Sequence, residues 1–177
     1  MVGEIAVLGL VLLAIGLVFF STLLTGASPL PTSPAGRETM LGALPIRIEG
    51  PVYELGSGWG GLAVALARRY PDQPVRAFEV SLLPWAFAKA RRLIGGPANL
   101  EFRFGDFHRA DLTDAALVAC YLTPPAMAKL KPKLEAELKP GALVLCNTFA
   151  VRGWQPVAVA TAPDAYRSQI YLYEVGA

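Results

Sequence analysis

Tyr53 to Gly61 reads YELGSGWGG, with Gly56, Gly58, Gly60 and Gly61 following a short apolar run. Glycine adopts backbone angles that other residues avoid, and it lets a ligand approach the chain closely. Leu62, Leu66 and Tyr70 then recur at helical spacing. The unit is therefore a strand, a tight turn and a helix whose N-terminus faces a ligand. Gly56, Gly58 and Gly61 satisfy G-x-G-x-x-G, a pattern that a plain strand-to-helix turn also meets. No Gly-Lys-Ser/Thr follows, which excludes a P-loop.

The alternation continues downstream. VRAFEV reads as a second strand, and PWAFAKARRLIG as a helix with Pro84 near its start and Gly95 at its end. LEFRFGD is a third strand with Leu100, Phe102 and Phe104 on one face, and ALVACYL a fourth. PPAMAKLKPKLEAELKPG is a helix with a break expected near Pro132 and a stop at Gly141. ALVLCNTF is a fifth strand, and WQPVAVATA and SQIYLYEV form a closing antiparallel pair. This order predicts an α/β fold: a doubly wound, seven-stranded, mostly parallel sheet covered on both faces.

Three stretches divide the chain: an apolar segment at 1–25, a linker or arm at 26–48, and the α/β domain at 49–177. Ile5 to Leu24 is uncharged, and about 20 residues at a rise of about 1.5 Å cross a hydrocarbon core of about 30 Å. A cleaved signal peptide is the alternative, but MVGE carries no basic residue and the apolar run is long for one. Retention as a single-pass cell-membrane anchor is the expectation. Arg37 and Arg47 follow the run and no Lys or Arg precedes it, so the positive-inside rule favours a cytoplasmic C-terminal part. GASPLPTSPAG, residues 26–36, has linker composition. RETMLGALPIRIEG then leads into the domain through a short helix or arm.

The chain is 54% hydrophobic with a net charge of +2, which argues against disorder and against nucleic acid as a main partner. Cys120 and Cys146 lack metal-ligand spacing and read as buried free thiols. Lys129, Lys131, Lys133 and Lys139 read as a solvated helix face paired with Glu135 and Glu137.

Three acids choose among ligands. Glu54 precedes the first glycine, Glu79 ends the second strand, and Asp106 ends the third. Ligands of open parallel sheets bind outside the carboxyl ends of the strands. A dinucleotide pyrophosphate is repelled by Glu54, whereas S-adenosylmethionine carries no phosphate and offers donors instead. Glu54 suits its ammonium side, Glu79 its ribose hydroxyls, and Asp106 its adenine amine. Each acid taken alone also reads as a loop carboxylate or a helix cap.

With these residues the sequence resembles the class I S-adenosylmethionine-dependent methyltransferases over about Tyr53 to Val175. E-x-G-x-G-x-G, Glu54 to Gly60, matches their first motif. YLTPPAMAKLKPKLEAELKPGALVLCNTFAVRGWQP resembles more narrowly the prokaryotic relatives of the ATP synthase c-subunit lysine methyltransferase, which tend to carry an N-terminal apolar segment. The resemblance implies a Rossmann-like fold with S-adenosylmethionine held by Glu54, Gly56, Ser57, Gly58, Trp59, Gly60, Glu79, Val80, Asp106, Phe107 and Tyr121. It implies an acceptor site at Tyr121, Thr123 and Pro124, and a lysine of a protein, itself membrane-bound in one reading, as acceptor. Pro125 stands where relatives often have an acidic or polar residue, which leaves the acceptor open between protein, small molecule and lipid. A non-catalytic nucleoside-binding module is the remaining alternative. Asn147 and Thr148 read equally as crevice lining and as caps, Trp154 as a lid or as core, and His108 as a weak candidate base.

Overall fold

The computed structural model describes residues 31–176 and, in the first 30, the helical positions Gly3, Val7, Leu8, Gly9, Leu12 and Gly16. The apolar run Ile5–Leu24 therefore lies largely outside the described residues. Among those described, no helix is long and apolar enough to cross a membrane.

Seven strands form one sheet in the order β3-β2-β1-β4-β5-β7-β6. They are β1 (Val52–Leu55), β2 (Val75–Glu79), β3 (Leu100–Phe104), β4 (Leu117–Cys120), β5 (Leu143–Asn147), β6 (Ala158–Thr161) and β7 (Gln169–Glu174). The first five run parallel, while β7 pairs antiparallel with both β5 and β6. The chain winds outward from β1 through β2 to β3 and returns on the other side of β1 at β4. The strand order thus reverses between β1 and β4, where such sheets open a crevice. Leu55 lies level with Phe78 on one side and Cys120 on the other, so the strand ends form one edge.

Alternation of side chains across the pleat builds two cores. On one face Val52, Val75, Ala77, Leu100 and Leu145 pack under three helices: α1 (Pro34–Ala43), α2 (Gly61–Arg69) and α3 (Leu82–Gly95). Met40 of α1, Leu62 and Leu66 of α2, and Ala88 of α3 are the helical contributions. On the other face Leu55, Val118, Val144 and Tyr173 meet Met127, Leu130 and Leu134 of α4 (Pro124–Glu137). The sheet is wound on both faces as expected, but unequally. Between β3 and β4 the chain makes only a 3-10 turn, Phe107–Arg109, and no crossover helix. The sheet face at Tyr53, Arg76, Phe78 and Arg103 consequently borders an open cavity of about 760 Å³.

Two local expectations change. The stretch read as a linker to residue 36 already turns helical at Pro34, because Ser33 accepts a hydrogen bond from the Gly36 amide and Pro34 suits the first helical position. Pro132 does not break α4, which runs uninterrupted to Glu137. The proline leaves the Ala128 carbonyl without its helical donor. Burial of Leu130 and Leu134 on either side, and the Lys131–Glu135 and Lys133–Glu137 pairs, hold the helix together past it. Those pairs match the expected partners for Lys131 and Lys133; among the described residues Lys129 and Lys139 join no salt bridge. Cys120 and Cys146 are buried, free and level with each other, with sulfurs 3.7 Å apart.

Candidate active site

Glycine chemistry shapes the loop from β1 to α2. Gly56, Gly58 and Gly60 all have positive φ, at 79°, 53° and 77°. At Gly60 a side chain is also excluded by space: a Cβ there sits 2.5 Å from Phe102 Cζ. At Gly58 a Cβ meets nothing within 4 Å, so the loop crest is open on its outer side. Trp59 stands partly exposed between these glycines, edge-on to Phe87 of α3 at 5.3 Å between ring centroids.

Glu79 ties this loop to the next. One carboxylate oxygen accepts from the Gly58 amide at 2.7 Å, and the other from the Ser81 amide at 2.7 Å. The carboxylate is buried, and each oxygen keeps further acceptor capacity. The sequence reading gave Glu79 to the ribose of a ligand or, taken alone, to a loop or cap role. In the folded chain it also pins the β1–α2 and β2–α3 loops together. Neighbouring Val80 is partly exposed at the mouth.

Glu54 is the anomaly of the site. It is buried, and the backbone of Ala63 hydrogen-bonds to it, yet its Oε2 has no partner among the described residues. Ser57 Oγ, also buried, has none either. Burial pushes the Glu54 carboxyl well above the usual carboxylate range, and the nearby Glu79 charge pushes it further. A buried acid with an orphaned oxygen beside a second carboxylate suits a ligand that brings positive charge or donors. Anionic phosphate does not fit it.

Asp106 sits apart from this pair. It is exposed and caps the 3-10 turn, accepting from the His108 amide at 2.9 Å. The structure brings Glu54 and Glu79 together and places Asp106 on the same edge at the β3 end. The Phe107 and His108 rings meet in the turn at 4.5 Å between centroids, tilted by 41°. Burial lowers the pKa of His108 more than the Asp106 charge raises it, so the ring is neutral near pH 7.

Across the reversal point the edge changes character. Tyr121 follows the end of β4 and stacks on Phe149 at 6.3 Å and 23°. Thr123 stands at the N-cap of α4, and Pro124 and Pro125 open that helix. Asn147 is buried at the end of β5, and its Oδ1 accepts from the Thr148 hydroxyl. Thr148 has φ 65°, and the Phe149 amide donates back to the Asn147 carbonyl at 2.7 Å. That three-residue turn is strained for a β-branched residue, and it aims Phe149 toward Tyr121. Sequence reasoning missed Phe149 as a site residue. Its only signal was an aromatic just beyond a strand end. Trp154 is packing rather than a lid: it meets Tyr173 edge-on, and its Nε1 donates to Glu135 at 3.0 Å. The Tyr173 hydroxyl in turn accepts from the Val151 amide.

A parallel sheet with an antiparallel β7, a glycine turn after β1 and acids at successive strand ends define a Rossmann-like methyltransferase. The solved structure of an RNA methyltransferase from Salinibacter ruber with S-adenosyl-L-homocysteine aligns at TM-score 0.73 and 28% identity, over 82% of this chain and 94% of that one. The chain belongs to the family of the ANTKMT methyltransferase domain, whose model matches residues 54–158. A protein-lysine N-methyltransferase of Saccharolobus islandicus is 31% identical over 71% of this chain and 79% of its own length. The mouse adenine nucleotide translocase lysine N-methyltransferase is 34% identical over 62% of this chain, which spans about half of that relative (48%).

Proposed function

We propose that this protein is a protein-lysine N-methyltransferase that works at a membrane. It is an enzyme of the methyltransferase class, and its cofactor is S-adenosylmethionine. The observation that carries the cofactor assignment is the orphaned Oε2 of buried Glu54 beside the Glu79 carboxylate, under an open glycine loop. The bound cofactor supplies an electrophilic methyl group on a cationic sulfur, which an unprotonated amine displaces.

Glu54, Ser57 and the Gly56–Gly60 loop would hold the cationic amino-acid end. Glu79 and Val80 would take the ribose side, and Asp106 and Phe107 the adenine side. Tyr121 borders both cofactor and acceptor. Tyr121, Phe149, Thr123 and Pro124 form the acceptor mouth. The two aromatic rings offer a face to a lysine ammonium and accept its methylated form equally well. A free lysine holds its proton to about pH 10.4. Seating it on apolar rings beside a cation lowers that value and releases the proton. Positioning does the remaining work, and no covalent enzyme intermediate is needed.

Support for a lysine acceptor comes from the relatives named as lysine methyltransferases. Support for membrane action comes from the uncharged run Ile5–Leu24, and the arginines that follow it favour a cytoplasmic catalytic domain. The test is incubation of the full chain with methyl-labelled cofactor and membranes from a strain lacking it. Label that stays with protein and maps to lysine by mass spectrometry supports the proposal. Label that extracts into solvent makes the acceptor a small molecule or lipid. Label released by ribonuclease makes it RNA, the substrate named for the Salinibacter structure. Binding of the cofactor with no transfer to any fraction leaves only a binding module.

A further inference from the structure

Helix α3 carries its apolar side chains on the wrong face for a globular domain. Inward it presents Pro84, Ala88 and the half-buried Trp85, whose Nε1 donates to the Phe102 carbonyl at 3.2 Å. Outward it shows Leu82 at 60% exposure, Phe87 at 50%, Leu93 at 69% and Ile94 at 88%, with Leu83 also exposed. The stripe runs the length of the helix, about 20 Å at about 1.5 Å per residue. Partly exposed Trp59 extends it at the N-terminal end through its contact with Phe87.

The charges on this helix are all of one sign. Leu82–Gly95 holds Lys89, Arg91 and Arg92 and no acid. Among the described residues none of the three joins a salt bridge. Lys89 lies over the Trp85 ring and Arg91 against Phe87. Beside the stripe, a groove of about 420 Å³ runs between α1, α2 and α3. Arg37, Arg68 and Arg91 line it together with Gly61, Gly95 and Gly96, and no carboxylate does.

The chain described from Pro31 onward begins beside this groove. Arg37 donates to the Thr32 carbonyl at 2.7 Å, so the chain leading from the run meets the domain at the groove. Residues 25–31 span at most about 25 Å when extended. A bilayer holding Ile5–Leu24 thus lies within about 25 Å of the chain's entry beside this groove.

We propose that the outer face of α3 and the adjoining arginine groove dock on an anionic phospholipid surface, with headgroup phosphates in the groove and the apolar stripe at the acyl boundary. The inference rests on the membrane reading above and adds a second, oriented contact to it. An apolar stripe flanked only by cations is the pattern of a helix lying in a membrane interface. Cations there gain from anionic lipid. A protein partner with an acidic groove, or a second copy of the chain, is the competing occupant. Docking also bears on the site, because Trp59 belongs to the glycine loop and Arg91 donates to the Gly60 carbonyl at 3.1 Å.

The test uses the full chain in vesicles of phosphatidylcholine alone or mixed with phosphatidylglycerol, both with brominated acyl chains. A fluorophore is placed on Ala90→Cys of α3 or on Ala136→Cys of α4, both exposed, while the native cysteines are buried. The expected result is quenching at position 90 in the anionic vesicles, severalfold more than at position 136. Arg68→Glu with Leu93→Glu and Ile94→Glu abolishes that difference, and the milder Arg68→Gln weakens its dependence on phosphatidylglycerol. Equal quenching at the two positions, quenching indifferent to lipid charge, or cross-linking of position 90 to a second copy overturns the proposal. Carbonate extraction reports separately on the N-terminal run. Protein that resists carbonate while position 90 stays unquenched keeps the anchor and sinks the docking face. Protein that washes off while position 90 is quenched sinks the anchor alone.

Discussion

The two halves of the carboxyl edge of the sheet are built on opposite rules. On the β1–β2 side the working groups are carboxylates, buried and tied to backbone amides, within a loop that only glycine can form. On the β4–β5 side they are two half-buried rings and a strained threonine whose hydroxyl donates to Asn147. The first half is organised before any ligand arrives and suits one invariant ligand. The second is set by packing and turn geometry and is free to differ between enzymes that share a cofactor but not an acceptor. Substitutions in the first half should therefore cost stability and cofactor affinity, and those in the second should alter turnover.

Gly60→Ala should have the largest effect. The residue has φ 77°, and the new methyl meets Phe102 at 2.5 Å and Ala88 Cβ at 3.0 Å. Strain and overpacking together cost on the order of 4 kcal/mol. Thermal unfolding should fall by roughly 10 °C. A variant that melts with the wild type means the loop takes another path.

Glu79→Ala comes next. It strips the acceptor from the Gly58 and Ser81 amides, and charged hydrogen bonds contribute about 1.5–3 kcal/mol each. Cofactor affinity by calorimetry should fall about 100-fold or more, a loss of about 2.7 kcal/mol. If melting temperature drops while affinity holds, Glu79 is a loop brace alone and the two halves differ less than argued.

The proton on Glu54 sharpens the comparison. Its folded pKa is raised by burial and by Glu79, so between the ordinary carboxylate value of about 4.3 and the raised one the folded chain holds a proton that the unfolded chain lacks. The stabilisation is full below that window and is lost as pH rises through the folded pKa. A bound cation favours the ionised form, so cofactor affinity should move the other way and rise with pH, by up to about tenfold per unit. Calorimetry in buffers of different ionisation enthalpy should show a proton released on binding, and Glu54→Gln should abolish the release. Binding without proton release removes the coupling.

These groups were not equally legible in the sequence. The succession of strands and helices along the chain, the glycine turn and the acids at strand ends follow from local patterns, because a period of two, a period of 3.6 and a glycine cluster are all short-range. The double duty of Glu79 was not legible, since it depends on the amides of Gly58 and Ser81 arriving from two loops. The missing crossover helix after β3 was hidden in a stretch too short and polar to assign. Phe149 became a site residue only through the turn at Thr148, and no rule assigns positive φ to a threonine from its neighbours. The break assigned to Pro132 failed because packing of Leu130 and Leu134 outweighed one lost hydrogen bond.

Tyr121→Ala tests the second half directly. It removes one of the two stacked rings, worth about 0.5–2 kcal/mol to a cation held on them. Turnover efficiency on a lysine peptide should fall about 2- to 30-fold, with a smaller loss in cofactor affinity. A larger loss in affinity than in turnover moves Tyr121 wholly to the cofactor side.

Thr148→Gly should have the smallest effect and the most diagnostic sign. Threonine at φ 65° is strained, and glycine relieves it at the cost of a more flexible unfolded chain. The net gain is about 1 kcal/mol or less, a rise of about 2–4 °C in melting temperature. The same change releases Phe149 from its aim at Tyr121, so turnover should fall as stability rises. Neither the glycines of the other half nor Glu79 can produce that combination, because there the groups that bind are also the groups that hold the loops. A Thr148→Gly variant that gains stability and keeps full turnover would show that the turn stores strain without using it, and that the acceptor wall is held by something other than its backbone.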